Sequence, residues 1–288
     1  MKPLISVVIP VYNGEKTLEA CLNSVIDQDY ENFEIIIIDN GSIDKTYEII
    51  KSYINSKIEY FHESTRGRGI ARNLGVKKSS GKMIAMIDSD CVAPKNWLTE
   101  ISKPIIEKNE KVVIGSEEII YEDKVSNKIQ NANDSLVNKS MIGDYIKHID
   151  TKNIIFKREV FFNYRFDPDI KNCEDFEFYL QIKKQYKVLC LPNIKVKHNH
   201  KIKLSDWFKT QIDRGFETTK IYKKHKGKKH LMFSSYDLLN WVKLPFWLFF
   251  VLLKTPKEFK FIFVTELGWR FGIFLYYFDN IGFYSYEK

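Results

Sequence analysis

The chain has 288 residues, of which 44% are hydrophobic, and a formal net charge of +8 at neutral pH. That length suits one large α/β domain, or a domain with an appendage, and the apolar share excludes a wholly disordered chain. The four cysteines lack Cys-x-x-Cys spacing, so we predict neither a zinc site nor a disulfide framework. Residues 1–4 run into a predicted strand without the apolar core of a signal peptide, which favours a reducing cytoplasm.

The first 90 residues alternate strands and helices. Apolar runs predict strands at 5–10, 33–39, 58–61 and 83–87. Helical spacing of apolar residues predicts helices at about 18–25, at 42–53 and at 70–78. Such alternation indicates a parallel sheet that is wound right-handedly and covered on both faces.

From residue 91 to about 200 the pattern is less regular. We predict a helix over 97–108 that Pro104 kinks or shortens, and a polar, irregular segment over 117–147. Further elements are predicted as short strands at 112–114, 153–156 and 188–191 and a helix at 174–184. This part is interpreted as an acceptor-binding half attached to a nucleotide-binding half.

Positive charge and then aromatic residues mark the last part of the chain. Residues 195–230 contain twelve Lys and Arg against three acidic residues, which is typical of contact with anionic lipid head groups or phosphorylated substrates. Nucleic acid ranks lower because no nucleic-acid-binding motif accompanies the block, and a solvated basic face is the plain alternative.

Two apolar segments follow the basic block. Residues 238–253 are shorter than the ~20 residues that span a bilayer as a helix, and residues 259–278 carry three charges. Both are predicted to be helices that lie in a membrane interface. The alternative is a helical hairpin packed on its own domain or in a dimer.

The most informative motif is Asp88-Ser89-Asp90, which follows the apolar run 83–87. The carboxyl end of a buried strand is where open α/β sheets place ligands. Two carboxylates there suit a hard divalent cation that also binds substrate phosphates. An acidic loop without a metal is the other interpretation of this motif taken alone.

Six motifs in order resemble those of family 2 glycosyltransferases. They are Val8-Ile9-Pro10-Val11-Tyr12-Asn13, Ile38-Asp39-Asn40-Gly41-Ser42-Ile43-Asp44, Gly69-Ile70-Ala71-Arg72-Asn73, Ile87-Asp88-Ser89-Asp90, Asn153-Ile154-Ile155-Phe156-Lys157-Arg158 and Glu174-Asp175. The resemblance implies an α/β fold of the GT-A (Rossmann-like) type, with a mostly parallel central sheet flanked by helices and a helical, aromatic-rich C-terminal extension. It covers roughly residues 4–200.

The resemblance also divides the chain. It implies a catalytic domain over 1–200, in which 1–92 is the nucleotide-binding half and 93–200 the acceptor half. Outside the resemblance, the composition of residues 201–288 predicts a basic, later hydrophobic helical region that associates with a membrane.

For the donor nucleotide, the resemblance implies several contacts. The implied nucleotide-binding residues are Pro10, Tyr12, Glu15, Asp39, Arg72, Asp88 and Arg214. Asp39 would accept a hydrogen bond from the base; the family usually has Asp where Asn40 stands. Arg214 belongs to Gln211-Ile212-Asp213-Arg214-Gly215, which resembles the Gln-x-x-Arg-Trp motif of processive members, although Gly215 replaces the tryptophan.

The resemblance gives the metal and the base as well. Asp90, Asp88 and His198 would hold Mg²⁺ or Mn²⁺ at the diphosphate. Asp175 would be the catalytic base, with Glu174 orienting it or the acceptor, and the stereochemistry at the sugar would invert. The alternative for the last pair is two acids at a helix start, where the helix dipole favours them.

We therefore predict an inverting, metal-dependent glycosyltransferase that uses a UDP- or GDP-sugar. Its expected acceptor is a lipid-linked glycan or polyprenyl phosphate, and it would be cytoplasmic, peripheral or monotopic on the inner face of the cell membrane. We expect no nucleic-acid partner, and a homo-oligomer is compatible with the sequence. The alternatives are a sugar-phosphate nucleotidyltransferase and a non-catalytic, membrane-docked subunit that binds nucleotide sugars.

Overall fold

A computed structural model describes residues 2–55, 57–120, 124–199, 203–226 and 259–279. The chain forms two compact units, Met1–Lys201 and Ile202–Lys288. The predicted helix over 238–253 and the end of the basic block lie outside the described residues.

The described residues of the first unit form one ten-stranded sheet. Its strands are β1 Ile5–Val11, β2 Phe33–Asp39, β3 Ile58–His62, β4 Met83–Met86, β5 Cys91–Val92, β6 Val112–Ile119, β7 Met141–Ile142, β8 Tyr145–Ile146, β9 Ile154–Lys157 and β10 Val188–His198. The order is β3-β2-β1-β4-β9-β6-β10-β8-β7, with β5 paired to β10. Strands β1 to β4 are parallel, and β9 runs antiparallel between β4 and β6.

Helices cover both faces of this sheet. They are α1 Leu18–Ile26, α2 Thr46–Tyr53, α3 Arg68–Lys78, α4 Trp97–Lys108, α5 Lys124–Ser140, α6 Val160–Asn163 and α7 Glu174–Ile182. In β1, Val7 and Ile9 pack under α1 and α4, whereas Val8 belongs to the opposite core beneath α3 and α7. Because both faces are buried, the strands are continuous apolar runs rather than alternating ones. The predicted α/β architecture is confirmed.

Helix α3 lies very close to the sheet. A Cβ atom at Gly75 would stand 2.3 Å from Cγ1 of Val8, so only glycine permits this approach. The same face of the helix buries Ala71 and Arg72. The long basic side chain of Arg72 therefore lies at the carboxyl ends of the central strands.

The prediction of an irregular segment over 117–147 is wrong. Strand β6 continues to Ile119, helix α5 covers Lys124–Ser140, and β7 and β8 form a hairpin. Tertiary contacts hold α5 against the end of β6: Gln130 of α5 accepts a hydrogen bond from the Ile119 amide and donates one to the Glu117 carbonyl. A mostly polar helix held by such contacts has little apolar periodicity to predict it.

Strand β10 is also longer than predicted, because it extends to His198 instead of ending at residue 191. Its pairing with β6 shifts between Cys190 and Lys195: over this interval β10 contains three more residues than β6. Pro192 and the exposed residues around it interrupt the apolar run and hide the second half of the strand from the sequence pattern.

The second unit contains two long helices among its described residues, α8 Leu204–Lys226 and α9 Phe259–Asp279. The prediction of a helix over 259–278 is confirmed. The two helices touch backbone to backbone: a Cβ at Gly215 would lie 1.9 Å from the Trp269 carbonyl oxygen, and one at Gly272 would lie 1.9 Å from that of Ile212. No helix in the described part of the chain is both long and apolar enough to cross a membrane.

Candidate active site

The carboxyl ends of β1, β2 and β4 meet at one edge of the sheet, where open α/β sheets place ligands. The two loops that leave β1 and β2 are joined there. Asn13, at a left-handed φ of 50°, receives the Ile43 amide on its side chain, and its own amide donates to Ser42 Oγ. Glu15 joins the same pair of loops, because its carboxylate accepts from the Lys45 amide at 3.4 Å. The predicted residues Tyr12 and Glu15 therefore lie on a fixed, solvent-exposed rim.

Asp39 ends β2 beside this rim and is buried. Its Oδ1 accepts the Ser42 amide at 2.9 Å, and its Oδ2 accepts the Tyr60 hydroxyl at 3.4 Å. Burial, together with the charge and hydrogen bond of Asp39, raises the pKa of Tyr60 to about 12. Tyr60 therefore remains a donor to the carboxylate at all ordinary pH values.

Asn40 contacts the loop after β3 and not the open edge. Its Nδ2 donates to the carbonyls of Glu63 and Thr65, at 3.1 and 2.7 Å, and its Oδ1 accepts the Gly67 amide at 2.8 Å. All the hydrogen-bonding atoms of the amide are thus used to hold residues 63–67.

That loop carries Arg66 to the rim. The guanidinium carbon lies 3.2 Å from the ring centroid of Tyr12, whose side chain is 43% exposed. An exposed aromatic face at the end of β1 is a stacking surface for a planar ring. The sequence patterns did not single out Arg66, because its role depends on the loop that Asn40 holds.

Arg72 connects two of the predicted acidic positions. It is 1% exposed, its Nη2 donates to Asp88 Oδ1 at 2.7 Å, and its Nη1 donates to Glu174 Oε1. Burial disfavours the cation, but the charges of Asp88, Glu174 and Asp175 outweigh it and raise the pKa of Arg72. One buried cation therefore joins the end of β4 to the start of α7.

Asp175 stands in the first turn of α7. The helix follows Cys173, which adopts a left-handed φ of 62°, and Asp175 Oδ1 accepts the Phe176 amide at 2.7 Å. Asp175 is half-buried, whereas its neighbour Glu174 is buried against Arg72. The two acids therefore differ: Glu174 is committed to an internal ion pair, and Asp175 is the more exposed of the two.

Asp90 and His198 meet across β5 and β10. His198 pairs with Cys91 in the antiparallel register, and its Nε2 lies 3.2 Å from Asp90 Oδ2. Ligand atoms of Asp90, Cys91 and His198 lie within 4.8 Å of one another. Burial and the charges of Asp90 and Asp88 raise the pKa of the Cys91 thiol well above its usual value, so Cys91 stays protonated and is a poor metal ligand.

Behind His198 lies a row of charged side chains that the sequence patterns did not reveal. His198 Nδ1 is 2.8 Å from Glu117 Oε2, Lys152 Nζ is 3.2 Å from the same oxygen, and Lys152 also contacts Asp150 at 2.6 Å. Burial lowers the pKa of His198, but its bonds to Asp90 and Glu117 outweigh this and raise it to about 9. An acidic residue near the end of an apolar strand is the signal that could have revealed Glu117.

Asn153 holds the β10 register shift in place. Its Nδ2 donates to the carbonyls of Ser116 and Ile194, at 2.7 and 2.8 Å, and its Oδ1 accepts the Trp97 indole N–H. The residue is 2% exposed. Asn153, the first residue of a predicted strand motif, therefore has a structural role: it holds the second half of β10 in the position from which His198 reaches Asp90.

The structure thus brings Asp88, Arg72 and Glu174 into one contact network and Asp90 and His198 into another. Pro10 lies within β1, opposite Ile38 of β2. Arg214 belongs to the second unit, where its guanidinium lies 5.4 Å over the Trp207 ring. Its assignment to the nucleotide stays a prediction.

Known proteins share this sequence pattern. The family profile described as "Glycosyl transferase family 2" matches residues 6–171. Glycosyltransferase GlyG of Streptococcus pneumoniae is 34% identical over 119 residues, which are 40% of this chain and 40% of GlyG. The chain covers at most 41% of the length of the first four curated relatives that it matches.

Solved structures share the fold. The mannosyltransferase PcManGT of Pyrobaculum calidifontis, in complex with GDP-Man and Mn²⁺, aligns with a TM-score of 0.64 at 18% identity, over 78% of this chain and 64% of that one. S. aureus TarS 1–349 in complex with UDP-GlcNAc aligns with a TM-score of 0.56 at 18% identity, over 99% and 93% of the two chains. At such identity the likeness concerns the fold.

Proposed function

The chain belongs to glycosyl transferase family 2, and from this premise we propose that it is an inverting, metal-dependent enzyme acting on a UDP- or GDP-sugar. Membership of this family and the GT-A fold support a glycosyltransferase over the two alternatives, a nucleotidyltransferase and a non-catalytic subunit. The observation that carries the proposal is the buried Arg72 bridge between Asp88 and Glu174. It connects the side of the site that would hold the diphosphate with the side that would hold the acceptor.

Asp175 is the proposed base. Direct displacement needs a group that takes the proton of the attacking hydroxyl while the new bond to the anomeric carbon forms and the bond to the diphosphate breaks. Asp175 is the half-buried acid of its pair, and its Oδ1 is oriented by the Phe176 amide. Glu174 has a different role, because Arg72 holds it and thereby fixes the first turn of α7.

The residues present fit a divalent cation at Asp90. Its carboxylate and the His198 imidazole, 3.2 Å apart, are an oxygen and a nitrogen donor, and Asp88 stands two residues away. The cation, when bound, acts as a Lewis acid that stabilises the charge developing on the leaving diphosphate. Carboxylates suit both Mg²⁺ and Mn²⁺, and an imidazole ligand favours the transition-metal ion. PcManGT, whose structure contains Mn²⁺, supports the same choice.

We assign the nucleobase to the rim formed by Tyr12 and Asp39. Tyr12 offers an exposed ring for stacking, and Asp39 Oδ2 is the acceptor for a base N–H. A buried carboxylate discriminates between bases, because a base without a donor would leave it without that hydrogen bond. Both uracil and guanine present such an N–H, and PcManGT and TarS carry GDP-Man and UDP-GlcNAc respectively.

The acceptor is proposed to be lipid-linked, at the inner face of the cell membrane. The basic block over 195–230 and the aromatic residues that follow are the supporting features. Within α9, the side chains of Phe263, Phe271 and Phe274 are exposed. Aromatic rings favour the head-group boundary, and basic residues contact anionic phosphates.

The test is turnover of a panel of UDP- and GDP-sugars with Mn²⁺ and with EDTA, alongside thermal shifts with the same ligands. We expect donor-dependent stabilisation only with the cation, and its loss in Asp90→Ala. Asp175→Asn should retain donor binding while turnover falls by ~10²–10⁴. Full activity in EDTA would overturn the metal requirement, and weak donor binding with normal turnover in Asp175→Asn would reassign that residue.

A further inference from the structure

The side of the His198 ring that faces away from Asp90 is occupied by a carboxylate. Glu117 Oε2 lies 2.8 Å from Nδ1, and the two side chains are only 10% and 12% exposed. A carboxylate accepts hydrogen bonds, and the Lys152 ammonium lies 3.2 Å from the same oxygen of Glu117. Nδ1 therefore carries a proton and donates it to Glu117.

Backbone pairing brings these two residues to the same face of the sheet. Glu117 pairs with Val196 in the parallel β6–β10 register, and His198 is two residues further along β10. Successive side chains of a strand alternate between faces, so Val196 and His198 share the face of Glu117. The other side is fixed as well, because the Asn199 amide donates to the Asp90 carbonyl at 2.7 Å. The backbone at His198 is thus fixed on both sides. The imidazole ring can then change its orientation only by rotation about the His198 side-chain bonds.

Glu117 is itself held from behind. Lys152 Nζ contacts its Oε2 at 3.2 Å and Asp150 Oδ2 at 2.6 Å. The lysine is mostly buried, at 19% exposure, and the two acids balance its charge. A carboxylate fixed in this way gives the imidazole a defined partner rather than a mobile one.

We propose that Glu117 is a positioning residue for the metal site: it holds the Nδ1–H of His198, so that Nε2 is the nitrogen that releases its proton to solvent and presents a lone pair beside Asp90 to the divalent cation. This inference rests on the metal-dependent function proposed above. Carboxylate partners of metal-binding histidines fix the tautomer and ring orientation, and their loss typically weakens metal binding about 10–100-fold.

The test is a titration of the full-length protein with Mn²⁺ in the presence of UDP. Electron paramagnetic resonance measures the concentration of free Mn²⁺ at each step, which gives the binding affinity. Glu117→Gln should bind Mn²⁺ about 10–100-fold more weakly than wild type. The matched control is Glu118→Gln, which removes the same charge one residue away on an exposed side chain and should bind within about twofold of wild type. Equal binding by Glu117→Gln and wild type would overturn the inference.

A second variant separates positioning from a purely structural ion pair. Glu117→Asp keeps the charge beside Lys152 but draws the carboxylate back from the imidazole. Weakened Mn²⁺ binding with unchanged thermal stability supports positioning, whereas normal Mn²⁺ binding overturns it, even if Glu117→Gln fails to fold. Nitrogen-15 shifts of the His198 ring in the Mg²⁺–UDP complex should report Nδ1–H and a metal-bound Nε2 in wild type, and a larger fraction of rings with unbound Nε2 in Glu117→Asp at the same concentrations. If wild-type protein does not bind Mn²⁺ with UDP or GDP, the proposed metal dependence falls first and the inference with it.

Discussion

Asn40 makes contacts that a carboxylate could not make. Its Nδ2 donates to two backbone carbonyls, whereas an aspartate there would turn an oxygen toward both. Asn40, where the family usually has aspartate, is therefore suited to holding the loop over residues 63–67. This loop brings Arg66 to Tyr12. Arg66 stacks on the ring of Tyr12, which with Asp39 is where we place the nucleobase.

For that reason Asn40→Asp should destabilise the protein and weaken nucleotide binding. Losing the two hydrogen bonds to the Glu63 and Thr65 carbonyls costs about 1–3 kcal/mol in all, or a few degrees in Tm. Thermal unfolding and UDP or GDP titration by calorimetry measure the two effects. Asn96→Asp adds the same charge at an exposed position and should change Tm little. An unchanged Tm in Asn40→Asp would show that the loop does not depend on the amide.

The raised pKa of His198 makes stability depend on pH in a defined direction. The folded value, about 9, lies above the ordinary 6.5, so the contribution of the protonated ring is complete below pH 6.5 and is lost as pH rises through about 9. In EDTA, the unfolding free energy of wild type should exceed that of His198→Gln by about 1–3 kcal/mol more at pH 6 than at pH 10. Denaturant unfolding at a series of pH values measures this difference. A difference that does not change with pH would contradict the assignment.

Sequence patterns identified the acids at strand and helix ends but not the long-range contacts that hold them in place. Asp88, Asp90 and Glu174 stand in local motifs, so their types and spacing indicate their chemistry. The Arg72 bridge joins residues 16 and 102 positions away in the chain, and Glu117 reaches His198 from 81 positions away. Such contacts depend on strand order and register, which no local pattern contains. The structure adds a buried ion pair to Arg72, and its predicted contact with the nucleotide stays a prediction.

Among the elements, the helix pair of the second unit explains the departure at position 215. A tryptophan there would match the Gln-x-x-Arg-Trp motif, but α9 occupies the space: Gly268 and Gly272, on the facing helix, likewise approach the backbone of α8. Small residues four positions apart allow helix backbones to come this close. Gly215 is therefore required by packing.

Gly215→Trp should disrupt the α8–α9 pair instead of restoring a family feature. Its Cβ alone would meet the Trp269 carbonyl, and overpacking of this kind costs more than ~1–3 kcal/mol. Limited proteolysis should cleave the variant within residues 203–279 faster than wild type, with a loss of helical circular dichroism. Lys209→Trp, at an exposed position of α8, is the control and should behave as wild type. Equal protease resistance of Gly215→Trp and wild type would contradict this packing.

For the whole molecule, the division at residues 201 and 202 separates the chemistry from the basic and aromatic part. Asp39, Asp88, Asp90, Asp175 and His198 all precede the division. We expect the fragment 1–201 to fold and to bind nucleoside diphosphate, more weakly than the full chain because it lacks Arg214, the predicted diphosphate contact of the second unit. Most of the basic block and all the later aromatic residues belong to the remainder.

The full chain should pellet with anionic liposomes, and the fragment 1–201 should not. Each basic residue near an anionic surface contributes about 1 kcal/mol, so high salt should weaken binding without abolishing it, because the aromatic contacts remain. Sedimentation with phosphatidylserine-containing vesicles, and with zwitterionic vesicles as the control, measures both. Equal sedimentation of the full chain and the fragment would assign the tail to a purely internal role.

The irregular stretch at residues 191–194 of β10 determines where the strand can gain or lose residues. It separates the core half of the strand, paired from Leu189, from the half that carries His198, and Asn153 anchors it from outside the strand. Residues gained or lost at the two exposed positions, 192 and 193, change the size of the irregularity and leave the pairing on both sides in phase. Elsewhere in β10 a one-residue insertion would turn His198 to the opposite face. We therefore expect evolution to have tolerated insertions and deletions at this one place in the strand and to have rejected them on either side.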